Sequence, residues 1–128
     1  MQNNLKINYL NKKPKNFNHF NIGIIGAGNI VENSHLPVYQ QEGLNVINIF
    51  DIDYKKSENL RKKFNINKCS KNLNEILDDE NIHIIDIAVP AKYNKELFNK
   101  AVEKNKHILI QKPLSDNIES AYEILKIY

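Results

Sequence analysis

The sequence predicts a doubly wound α/β domain, a parallel sheet in the order 3-2-1-4-5 with helices on both faces. Three observations predict it. Short apolar runs alternate with stretches of helical spacing through residues 20–128. The strongest runs, FNIGIIG at 20–26 and IHIIDIAVP at 82–90, are nearly continuous in apolar residues, as in strands buried on both faces. The first run also ends in a glycine-rich turn, GAGNIV, that leads into a helix. Right-handed crossovers between such strands then fix the doubly wound arrangement.

Each element has its own local cause. Residues 1–19 are rich in Asn and Lys, contain Pro14 and show no sustained apolar period, so they read as an arm. Order begins at Phe20 with the first strand. A helical stretch runs from the glycine turn to about Glu42, its start blurred by Pro37, which a helix accepts only in its first turn or at a kink. Gly43 stops it. VINIFD at 46–51 is the second strand, and residues 54–64 form a solvated helix with Leu60 and Phe64 turned inward. NKCS at 67–70 is a brief third strand, and 73–79 a short helix with Leu73, Ile76 and Leu77 on one face. Strand four spans 82–90, ended by Pro90. A helix over 93–105 sets Leu97, Phe98, Ala101 and Val102 at helical spacing, and HILIQ at 107–111 is strand five. Ser115 or Asp116 caps a last helix that runs from Ile118 to the end. One more strand is expected of such a fold, so the domain over 20–128 reads as cut at its C-terminus.

Composition narrows the function. The chain has 128 residues, 41% hydrophobic and 26% charged, which suits one globular domain. The net charge of +3 belongs to the arm: residues 1–20 carry four lysines and no acid, and the remainder is slightly acidic. That argues against nucleic acid as a partner. No apolar run is long enough to span a bilayer, and the N-terminus lacks the apolar segment of a secretory signal. The single cysteine, Cys69, forms no internal disulfide, and a cytoplasmic setting is expected. The excess of lysine over arginine, with abundant Asn and Ile, reads as A/T-rich coding rather than chemistry. Four histidines and one cysteine without ligand spacing give no metal site.

Four places carry chemistry. Gly26 permits a tight turn, and Gly28 removes a side chain so that backbone can approach a pyrophosphate at the following helix N-terminus. Asp51, at the end of strand two, can accept hydrogen bonds from an adenosine ribose diol and would repel a 2′-phosphate, which favours NAD over NADP; Lys55 and Lys56 stand nearby. Its alternative is a helix cap or turn residue, with Asp53 the better cap candidate. Ala88-Val89-Pro90 through Asn94 leaves strand four beside the switch point of the sheet, where ligands bind; strand termination by proline explains it equally. Lys112, at the end of strand five, points to the same crevice, where its ammonium can hold a substrate hydroxyl as hydride leaves, although a strand-end lysine taken alone is more often simply solvated. The Lys112–Pro113 bond is expected trans.

The ordered set GAGNIV, HLPVY, FDID, AVPAKYN and KHILIQKPL resembles the N-terminal half of the glucose–fructose oxidoreductase, inositol dehydrogenase and MocA-like (Gfo/Idh/MocA) family over residues 20–128. The resemblance implies a Rossmann domain, NAD(P), and oxidation or reduction of sugars, cyclitols and related polyols. It implies that Gly26, Gly28, Asn29 and Ile30 surround the pyrophosphate, that Asp51 holds the adenosine ribose, and that Pro90 and Asn94 lie near the nicotinamide. Lys112 becomes the catalytic-site lysine of a Glu-Lys-Pro motif. Gln111 stands for the usual Glu, Asn94 for a frequent His, and Val31 for a small residue, which would push the first helix away from its strand.

The family's second domain, which supplies most of the substrate pocket and usually an acid/base histidine, has no counterpart here. His19, His35, His83 and His107 are not expected to replace it. Two function classes follow: the cofactor half of an oxidoreductase whose small polyol substrate binds in a full-length parent, inactive alone, or a free-standing nucleotide-binding module without chemistry. A domain for another adenine ligand such as S-adenosylmethionine fits the glycine turn and Asp51 but leaves Lys112 without purpose. An uncovered fifth strand leaves a homo-oligomer open.

Overall fold

The computed structural model describes residues 17–127. The arm expected over 1–19 lies outside them except for Phe17–His19, one 3-10 turn. Five parallel strands form one sheet in the order β3-β2-β1-β4-β5, as the alternation of runs predicts. They are β1 (Asn21–Ile25), β2 (Asn45–Phe50), β3 (Lys68–Cys69), β4 (Ile84–Ile87) and β5 (His107–Ile110). The helices are α1 (Leu36–Glu42), α2 (Tyr54–Lys63), α3 (Leu73–Leu77), α4 (Asn94–Glu103) and α5 (Ile118–Ile127).

Two apolar layers sandwich the sheet. On one face Leu36 of α1 and Leu60 of α2 pack with Ile22, Ile24 and Ile49; on the other Ile76, Leu77, Leu97 and Ala101 pack with Ile25, Ile85 and Ile87. Each fully buried Leu or Ile contributes roughly 1.5–3 kcal/mol. Among the described residues β3 and β5 are the edges of the sheet. Leu109 of β5 is half-exposed, and α5 turns Ile124 inward while Ile118, Tyr122 and Leu125 face out. A Lys95–Glu123 ion pair ties α5 to α4.

Several expectations need correction. Strand four is four residues long, not nine, because its ladder pairs only with the short β1 and β5. Val102 is exposed; it lies about 100° round the helix from buried Ala101. Neither Ser115 nor Asp116 caps α5: Asn117 does, its Oδ1 accepting from the Ser120 amide at 2.8 Å. The Lys112–Pro113 bond is cis, not trans.

The stretch before α1 solves the problem of Pro37. Residues Val31–His35 form a π-helical segment, and the Leu36 amide reaches back five residues to the Val31 carbonyl. The wider turn admits a proline, which has no amide to donate, in the first turn of α1. Val31 is fully buried against the sheet.

Candidate cofactor site

The C-terminal ends of β1, β2, β4 and β5 meet at one edge of the sheet. Backbone bonds align them: Gly26 donates to Phe50 O at 2.8 Å, Ala88 to Ile25 O at 2.8 Å, and Gln111 to Ile87 O at 2.9 Å. Four of the sequence-predicted positions, Gly26, Gly28, Asp51 and Lys112, therefore lie on the loops that leave these strands.

Gly26 is fixed by geometry. Its φ is +111°, and a Cβ there would stand 2.2 Å from the Ala88 carbonyl oxygen. No other residue fits. Gly28 differs: a Cβ would meet nothing within 4 Å. Its missing side chain serves no internal packing and leaves open space before the helix. The first helical bond runs from Glu32 N to Gly28 O, so the amides of Asn29 and Ile30 precede it, as at any helix start. Both residues are exposed.

Asp51 follows β2 and closes the turn. Its Oδ2 accepts from the Ala27 amide at 2.7 Å, and its Oδ1 from the Asp53 amide at 2.8 Å. The carboxylate thus binds the residue between the two glycines. Each oxygen keeps a lone pair for a further donor. Asp53 N-caps α2 through the Lys55 amide, as its spacing predicts.

On the other side of the crevice Pro90 begins a 3-10 turn over Ala91–Tyr93 and is exposed. Asn94 is fully buried. Its Nδ2 donates to the carbonyls of Pro113 and Leu114, both at 3.2 Å, and its Oδ1 has no hydrogen-bond partner. Asn94 therefore grips the loop that carries Lys112. Lys112 itself is exposed, and its backbone amide donates to its neighbour's side chain, Gln111 Oε1, at 2.7 Å.

Sequence reasoning missed a polar cluster beneath this loop. Asp86, fully buried in β4, accepts from Tyr39 Oη at 2.8 Å and pairs with His35 Nδ1 at 2.7 Å, both on Oδ2. The opposite ring nitrogen of His35 lies 3.0 Å from Gln111 Nε2. Burial first, then the charge of Asp86 and the hydrogen bond to it, push the Tyr39 hydroxyl up from its ordinary value, so it remains a donor. The available signal was one acid in the most apolar strand, since a buried carboxylate must find partners. His83, by contrast, sits at the opposite end of the sheet, where its Nδ1 accepts from the Asn21 amide. Among the described residues no three His, Cys, Asp or Glu side chains converge as a metal site, and no helix is long and apolar enough to cross a membrane.

The family model described as "Oxidoreductase family, NAD-binding Rossmann fold" matches residues 20–128. The chain belongs to the Gfo/Idh/MocA oxidoreductase family. Its match begins at the residue where the sequence predicts order to begin. Within the family, the chain is 37% identical over 111 residues to the uncharacterized protein YMR315W of Saccharomyces cerevisiae, spanning 84% of this chain and 32% of that one. It is 31% identical over 100 residues to glucose-6-phosphate 3-dehydrogenase of Bacillus subtilis, spanning 78% and 28%. Among solved structures, KijD10, a 3-ketoreductase from Actinomadura kijaniata in complex with NADP and TDP-benzene, shares the fold with a TM-score of 0.78 at 22% identity, over 86% of this chain and 34% of that one. The chain thus spans about a third of the length of these relatives. As the family's Rossmann domain, it is a nicotinamide-dinucleotide-binding domain, and the cradle fits such a ligand: Gly28 leaves open the space that a side chain would fill.

Proposed function

We propose that this domain is the cofactor-binding half of an NAD(P)-dependent oxidoreductase acting on sugars, cyclitols or related polyols, and that it prefers NAD. The observation that carries the preference is the Asp51 carboxylate, bonded to the Ala27 amide between Gly26 and Gly28. A negative charge held there accepts ribose hydroxyls with its remaining lone pairs and repels a 2′-phosphate. A bound nicotinamide ring supplies the hydride acceptor or donor.

The chain's own residues do the rest. The backbone from Gly26 to Ile30, Asn29 included, receives the pyrophosphate, with no side chain at Gly28 to obstruct it. Pro90 and Asn94 shape the nicotinamide end, Asn94 through the loop it grips. The Lys112 ammonium donates to a substrate hydroxyl and stabilises its ionised form. Sugar dehydrogenases among the relatives support the substrate class. Holding the substrate carbon against the ring can contribute roughly 7–11 kcal/mol to lowering a barrier, a contribution that the family resemblance assigns largely to a second domain. The chain alone is therefore expected to bind cofactor without turnover.

Calorimetric titration with NAD(H) and NADP(H) tests the reading. NAD(H) is expected to bind more tightly, and Asp51→Ala to weaken it by about 1–2 kcal/mol, the scale of a charged hydrogen bond. Equal or tighter NADP(H) binding would sink the preference. The free edge of β5 and the outward stripe of α5 also support self-association of the chain. Light scattering on a size-exclusion column would show a clean monomer if that is wrong.

A further inference from the structure

The polar cluster under the Lys112 loop has a direction that follows from donor and acceptor counting alone. The Lys112 amide can only donate, so the atom of Gln111 that faces it at 2.7 Å is the acceptor Oε1. The other end of that side-chain amide, Nε2, is then a donor and faces His35 Nε2 at 3.0 Å. That ring nitrogen must accept, so it carries no proton. The single imidazole proton sits on Nδ1 and is donated to Asp86 Oδ2 at 2.7 Å, where the Tyr39 hydroxyl donates as well. One ordered chain therefore runs from the Lys112 amide through Gln111 and His35 to the buried Asp86. It links the end of β5, the π-helical segment and the centre of the sheet.

We propose that His35 and Gln111 are positioning residues which hold the backbone of Lys112 to the rigid sheet, and that protonation of His35 breaks this hold at Gln111. The inference rests on the proposed role of Lys112 for its purpose. A doubly protonated ring donates from both nitrogens. Gln111 must then turn its oxygen to His35, which presents its Nε2 to the Lys112 amide, donor against donor. One side-chain amide cannot accept from both neighbours through its one carbonyl while its nitrogen faces either of them. The groups facing the ring are Asp86 from β4, Tyr39 from α1 and Gln111 from the end of β5; among the described residues Asp86 is the one charged partner. The glutamine is what makes the loop sensitive: a carboxylate at 111 would accept from His35 and from the Lys112 amide together.

Nitrogen-15 spectra of the labelled chain, recorded across pH, test this. Neutral His35 is expected as the Nδ1–H tautomer, the one a free imidazole populates less. The Lys112 amide signal is expected to shift with the same midpoint as the His35 ring, while the Ala27 amide, held by Asp51, ignores that midpoint. His35→Ala should speed hydrogen exchange at the Lys112 amide by about tenfold and abolish its response to pH. Gln111→Glu keeps the shape of the side chain and supplies the second variant. It should leave the Lys112 amide bonded on both sides of that midpoint, since a carboxylate oxygen remains to accept from it in either state of the ring. An Nε2–H tautomer in the native chain, or a Lys112 amide indifferent to His35, overturns the inference. No substrate enters these measurements, so their failure removes the relay alone. Full turnover by a Lys112→Ala enzyme would instead remove the proposed role of Lys112.

Discussion

The two sides of the crevice are built on opposite plans. The glycine turn after β1 is made by backbone: a φ of +111° at Gly26, an open space at Gly28, and one carboxylate from the next strand bound to the amide between them. The loop after β5 is made by side chains from distant segments: Asn94 grips its carbonyls, and Gln111 and His35 tie it to Asp86. A site for a fixed polyanion needs exposed amides and the absence of side chains, which a short segment encodes. On the proposed reading Lys112 must be aimed, and a rigid mount comes only from packed elements.

Substitution at Gly26 should break the first plan most severely. Gly26→Ala forces a methyl onto the Ala88 carbonyl at a positive φ, so unfolding in denaturant should show a loss of about 3 kcal/mol or more. Asn94→Ala attacks the second plan. It removes two hydrogen bonds from a fully buried position and should cost about 2 kcal/mol in the same measurement. Gly28→Ala separates binding from folding within the first plan: stability should change by less than about 1 kcal/mol, while dinucleotide affinity falls by about tenfold as the methyl enters open space. If affinity is unchanged, the turn is not the phosphate cradle.

The smallest effect is a control away from both sides. Arg61, by hydrogen bond and then by charge, holds the Glu58 carboxyl on α2 down to about 2. A depressed carboxylate contributes stability above its unfolded value and loses it as the pH falls toward 2. Glu58→Gln should flatten that part of the acid-unfolding curve slightly, because the pair is half-buried on a helix surface and water still screens it, and should leave the site untouched.

Much of the first side was legible in the sequence. GAGNIV after an apolar run, and Asp51 at the end of the next run, sit at spacings that chain connectivity alone makes meaningful. Less of the second side was. Lys112 and Asn94 were visible as strand-end and helix-start residues, but that Asn94 is buried and spends its amide on Pro113 and Leu114 was not. His35 read as one more helix residue, and Asp86 drew no notice at all within its apolar strand. The π-helical segment also escaped, though Pro37 marked its place, because a missing amide says that the helix must adjust and not how.

The sequence by itself determined the order of strands and helices, the glycine turn and the acid that follows it, because these depend on periodicity and backbone sterics within a few residues. Tertiary structure alone decided which way the proton lies on His35 and what anchors the Lys112 loop. Residues 35, 86 and 111 become neighbours only when the π-helical segment, β4 and the end of β5 come together, and a hydrogen-bond direction exists only once both partners are in place.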